Sequence, residues 1–126
     1  MSSESLHEAA EKLSPATIDR HRATVSLMEE LEAIDWYDQR IDAATDEALK
    51  AVLRHNRDEE KEHAAMVLEW LRRQDPVFDE KLRTYLFAEG DILAVEAAAE
   101  GEGGDASAAD EGSLGIGDLR GQEVAP

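Results

Sequence analysis

The sequence predicts an all-α chain: an antiparallel two-helix hairpin followed by a short C-terminal helix, with a four-helix bundle completed by homodimerisation. Three observations lead there. Apolar residues recur at spacings of 3, 4 and 7 over two long windows, a period that suits helices and not strands. Cap-plus-proline signals stand at Ser14-Pro15 and Asp75-Pro76, and only a residue or two separates the two long periodic windows, which makes them antiparallel neighbours. Two such helices and a short third, about 75 ordered residues, bury too little apolar surface to stand comfortably alone.

Each element has its own signal. Residues 1–13 are polar and weakly patterned and read as a disordered N-terminus. Ser14 caps a first helix with Pro15 at its first position, running to about residue 44, and its apolar face carries Leu27, Leu31, Ile34 and Ile41. Thr45 is the expected cap of the second helix, with Asp46 and Glu47 complementing its positive end and the pattern ending near Gln74. Its stripe is Leu49, Val52, Leu53, Val67, Trp70 and Leu71. A third helix over 77–87 puts Phe78, Leu82, Tyr85 and Leu86 on one face. Together residues 14–89 form the helical domain. Residues 90–112, rich in Ala, Glu, Gly, Asp and Ser, read as an acidic flexible linker. Residues 113–120 put Leu114, Ile116 and Leu119 on a glycine-rich backbone, the form of a docking peptide, and residues 121–126 read as a disordered C-terminus.

Charge and composition narrow the function. The net charge of −17 argues against nucleic acid and anionic membranes as partners and favours cations. Its distribution is uneven, because residues 88–126 hold 10 acids and only Arg120. Cysteine is absent, so oxygen and imidazole are the available metal ligands, which suits hard or borderline ions. With no basic start, leader-like apolar run or membrane-length apolar stretch, the sequence predicts a cytoplasmic protein.

The chemistry sits inside the apolar stripe. Glu60 and His63 occupy its middle, and an ionised carboxylate in a low-dielectric seam costs several kcal/mol unless a cation accompanies it. Their i, i+3 spacing is the Glu-x-x-His arrangement by which helix bundles hold di-iron or di-manganese centres. On the first helix Glu30 points between the directions of Ile41 and Tyr37, toward the same seam. One Glu plus one Glu-x-x-His is half of a ferritin-like site, which a two-helix chain completes by pairing with a copy of itself. Four carboxylates then balance two divalent ions. Tyr37 falls beside Glu30, where it can donate a hydrogen bond to a ligating carboxylate. Glu29, Glu32 and Trp36 point about 100° or more away and form a second acidic surface, either a solvated face or a weak cation-attracting site. His21, His55, Glu59 and Glu62 read as solvated.

The residues also carry a family resemblance. The stretches Met28-Glu-Glu-Leu-Glu-Ala-Ile-Asp-Trp-Tyr-Asp-Gln-Arg40, His55-Asn-Arg-Asp-Glu-Glu-Lys-Glu-His-Ala-Ala-Met66 and Leu68-Glu-Trp-Leu-Arg-Arg73 resemble the encapsulated ferritins of bacteria and archaea. The resemblance implies a ferroxidase whose dimer binds two irons through Glu30, Glu60 and His63 of both subunits, with Tyr37 close by. It further implies that Glu29, Glu32 and Trp36 line a metal access site, and that dimers assemble into a ring-shaped decamer. Ser113-Leu-Gly-Ile-Gly-Asp-Leu-Arg120 is similar to the peptide that docks such cargo inside an encapsulin shell, with Asp118 where a small uncharged residue is expected. Two other readings stay open on the residues alone: a di-manganese or peroxide-handling carboxylate protein, since Glu-x-x-His does not choose its metal, and a non-enzymatic cation-binding helical adaptor.

Overall fold

The computed structural model describes residues 5–107, the last six as backbone only, and every regular element among them is helical. A 3-10 turn, Ala10–Lys12, precedes helix α1, Pro15–Ala43. Helix α2, Glu47–Gln74, runs back along α1, and these two make the hairpin. Helices α3, Pro76–Tyr85, and α4, Ile92–Ser107, follow. By its contacts the chain divides into a hairpin unit up to Pro76 and a second unit from Val77 onward.

The helix ends follow from side-chain caps. Ser14 Oγ accepts a hydrogen bond from the Thr17 backbone N–H at 3.1 Å, and Pro15 occupies the first turn, where its missing N–H costs nothing. At the other end the Ala44 N–H donates to the Arg40 carbonyl at 2.9 Å. The cap of α2 is Asp46, one residue later than expected at Thr45. Its Oδ2 accepts from the Leu49 N–H at 2.8 Å, and its carbonyl receives the first intrahelical bond from Lys50. Both residues are able to cap, and the carboxylate adds a charge that favours the positive helix end. After α3 the chain turns through two residues of positive φ, Phe87 at 64° and Gly90 at 92°.

Two stretches differ from the sequence expectation. Ala10–Lys12 forms a 3-10 turn inside the segment read as disordered. The segment read as a linker over 90–112 contains α4, which starts at Ile92 with Asp91 Oδ2 accepting the Ala94 N–H at 3.0 Å. Alanine carries the highest helix propensity, so the run Ala97-Ala-Ala99 behind an aspartate cap favours a helix even with little to bury. The docking peptide over 113–120 and the terminus over 121–126 lie outside the described residues.

The hairpin has little interior. Among the described residues only Ile41 of α1 and Ala64 and Leu71 of α2 are buried apolar side chains. Leu27 and Ile34 are half-buried, as are Leu53 and Val67. Leu31, Leu49, Val52 and Trp70, expected on the packing face, are instead 54%, 48%, 56% and 40% exposed. A helix packs only a limited arc against a single neighbour, and the remainder of an apolar stripe wider than that arc stays open. One ion pair, Arg57 Nη1 to Asp38 Oδ1 at 3.0 Å, ties α2 to α1 across the hairpin.

Candidate metal centre

Glu30 and the pair Glu60 and His63 meet because the hairpin sets the middle of α1 beside the middle of α2. The helical period of α2 turns Glu60 toward α1, within about 40° of the buried Ala64 and Leu71. His63 lies about 60° further round, on the rim of the seam. One ligand atom from each of the three residues lies within 4.8 Å of the others. His63 Nδ1 stands 3.4 Å from Glu60 Oε1 and 3.8 Å from Glu30 Oε1. The glutamate side chains are 25% and 24% exposed, while His63 is 48% exposed.

Electrostatics mark the cluster as incomplete. The Glu30 carboxyl is pushed above its ordinary value of 4.5, first by a hydrogen bond with Glu60, then by burial and by the Glu60 charge; His63 opposes the shift, and Glu29 adds to it. Two carboxylates this close are held together by a shared proton or by a cation. Among the described residues no lysine or arginine pairs with either of them. The nearby cation Arg57 is committed to Asp38 and to Asp58, at 3.0 and 3.2 Å. Two carboxylates and one imidazole form an oxygen-rich donor set with a borderline nitrogen, which fits a divalent transition ion.

The remaining site residues fall around this cluster. Tyr37 is half-buried on α1, and Glu29, Glu32 and Trp36 are exposed on its outer surface. Glu29 reaches the cluster through its charge, which contributes to the Glu30 shift. Arg40 was not singled out in the sequence. Its guanidinium stands 5.6 Å from the Tyr37 ring centre and 5.8 Å from that of Trp36, so one cation links the two aromatic residues. The i, i+3 and i, i+4 spacings from Tyr37 and Trp36 carried that signal.

Comparison with known proteins agrees with the fold and the sequence pattern. The family model described as EncFtn-like matches residues 5–89. An encapsulated ferritin-like protein of Rhodospirillum rubrum is 63% identical over 128 residues, covering 96% of this chain and 91% of that protein. A ferritin-like protein of Thermotoga maritima is 50% identical over 79% of this chain and 90% of its own length. A crystal structure of a Nitrosomonas europaea protein superposes with a TM-score of 0.67 at 59% identity, covering 69% of this chain and 96% of the other. The chain therefore belongs to the EncFtn-like family of encapsulated ferritin-like proteins.

Proposed function

We propose that the chain is a ferroxidase that takes Fe(II) as its substrate at a centre shared by two subunits. The observation that carries this reading is the convergence of Glu30, Glu60 and His63 within 4.8 Å, beside an apolar surface that one hairpin leaves open. Two copies supply four carboxylates and two imidazoles, and the four negative charges offset two divalent ions. Glu30 and Glu60 are the bridging candidates and His63 the end ligand; ligation takes the deprotonated carboxylate, so iron binding competes with the proton that the Glu30 carboxyl holds more tightly than an ordinary glutamate does. Electrons pass from Fe(II) to dioxygen or a related oxidant, and the product Fe(III) leaves the centre. Tyr37 orients a ligating carboxylate, and Glu29, Glu32 and Trp36 draw Fe(II) toward the centre.

The relatives support a setting for this chemistry. The Rhodospirillum protein is named as encapsulated, and a Myxococcus xanthus protein 51% identical over 47 residues, 37% of this chain, is named as an encapsulin nanocompartment cargo protein. We assign this chain the same setting: dimers joined in a ring-shaped decamer, held in a cytoplasmic encapsulin shell by residues 113–120. A ring of hairpins encloses little volume, so the shell stores the oxidised iron.

Anaerobic loading with Fe(II) followed by exposure to oxygen tests the reading. The wild-type chain should consume oxygen with two irons per dimer, and Glu60→Ala and His63→Ala should each slow oxidation by more than about a hundredfold. Wild-type oxidation no faster than buffer would refute it. Equal oxygen consumption by either variant would remove those residues from the site.

A further inference from the structure

Arg40 stands apart from four other arginines of the hairpin, Arg22, Arg57, Arg72 and Arg73, each of which holds a carboxylate at 2.6–3.0 Å. Among the described residues Arg40 holds none, in a chain with 30 acids and 13 bases. The sequence around it explains why. The positions three and four before it are Tyr37 and Trp36, and those three and four after it are Ala43 and Ala44, so no acid stands where it could pair along the helix. The guanidinium lies instead 5.6 Å from the Tyr37 ring centre and 5.8 Å from that of Trp36, within the reach of about 6 Å for attraction between a cation and a ring.

Direction accounts for one cation reaching two rings. At about 100° per residue Arg40 points between Trp36 and Tyr37, about 40° from the first and about 60° from the second. Long side chains in a helix lean toward its N-terminus, so the guanidinium lies back over both rings. The rings lean the same way. Tyr37 leaves the helix within about 20° of the direction of Glu30, and Trp36 within about 20° of Glu29 and about 40° of Glu32. The phenol thus leans toward the level of the ligand cluster and the indole toward the acidic surface. Packing within the hairpin fixes neither ring, since Trp36 is 48% exposed and Tyr37 only half-buried. Position 33, one turn ahead of both, is alanine and leaves them room to swing.

We propose that Arg40 is a positioning residue of the centre: its guanidinium holds the Tyr37 and Trp36 rings as one unit and so keeps the phenol aimed at a ligating carboxylate. This rests on the ferroxidase reading and adds a residue outside the three ligands. A guanidinium suits the task, because it is flat, always charged and weakly hydrated, and so lies on a ring in the presence of water where an ammonium stays solvated. Its removal frees the rings while leaving Glu30, Glu60 and His63 in place. The aim of the phenol is then lost before the metal ligands are.

Fe(II) oxidation by the full chain reads the Tyr37 arm. Arg40→Gln should lower kcat about tenfold, the loss expected when the support behind a metal ligand is removed. Arg40→Lys, which keeps the charge without the flat fork, should fall between that variant and wild type. In a Tyr37→Phe background, which keeps the ring and removes the hydroxyl, Arg40→Gln should cost no further activity. Trp36 emission, isolated by Trp70→Phe and read without iron, follows the other arm. Its quenching by neutral acrylamide should rise on Arg40→Gln with the helical circular dichroism unchanged. Four results would each overturn the proposal and leave the ferroxidase reading standing: wild-type kcat in Arg40→Gln, Arg40→Lys no better than Arg40→Gln, an equal loss in the Tyr37→Phe background, or unchanged quenching. Wild-type oxidation no faster than buffer would overturn both.

Discussion

Replacing Glu30 by glutamine should stabilise the metal-free protein while abolishing its response to metal. Ligand atoms of Glu30 and Glu60 lie within 4.8 Å, where two unit charges repel by about 1 kcal/mol with water-like screening and about 3 kcal/mol at an effective dielectric near 20. Both side chains are about one quarter exposed and keep some contact with water, so the repulsion is at least roughly 1 kcal/mol at pH 7. For a domain of this size that corresponds to a rise of about 4–8 °C in Tm. The sign follows from the raised Glu30 carboxyl. The folded state holds that proton more tightly than the unfolded chain, so the associated stability is fully present below pH 4.5 and is lost as pH rises through the folded value. Glu30→Gln should flatten this part of the profile. Circular dichroism melts from pH 4 to 8, with chelator and then with anaerobic Fe(II), read both effects. An unchanged or lower Tm for metal-free Glu30→Gln at pH 7, or the same Fe(II)-induced gain as wild type, would refute the reasoning.

Other perturbations probe the frame around the site. Asp46→Ala removes the side-chain cap of α2 and should cost about 1 kcal/mol in urea unfolding, whereas Thr45→Ala should cost little. Ile41→Ala opens a cavity in the small hairpin core and should cost roughly 2–4 kcal/mol, with weaker metal binding because the register of Glu30 against Glu60 loosens. The Glu69 carboxyl is held down to about 2 by hydrogen bonds from Arg72 and Arg73, so its contribution to stability is present above 4.5 and lost as pH falls toward 2. NMR titration of that carboxyl should give about 2 in wild type and return toward 4.5 when both arginines are replaced by alanine.

Much of the hairpin was legible because its signals are local. Ser14-Pro15 and Asp75-Pro76 announce helix starts through their own chemistry, and the helices begin at Pro15 and Pro76. The side of the helix on which Glu30, Glu60 and His63 lie follows from counting about 100° per residue, and their distances followed once α1 and α2 packed. Packing extent was less legible. The apolar stripe shows which residues avoid water but not which of them one hairpin can cover, and Val52 and Trp70 stay open for that reason. Helix α4 is hard to read from sequence because its alanine-rich composition offers no core, while the Asp91 cap and alanine propensity act without one. Arg40 is not legible in the sequence because its contacts with Trp36 and Tyr37 are made by a residue that reads as solvated charge.

Crystals grown anaerobically with Fe(II), examined for anomalous scattering at the iron edge, test the central claim most directly. Two iron peaks should straddle a two-fold axis, each within ligand distance of Glu30, Glu60 and His63 drawn from both subunits. Iron confined to exposed acids, or these three side chains facing bulk solvent in every copy, would contradict it.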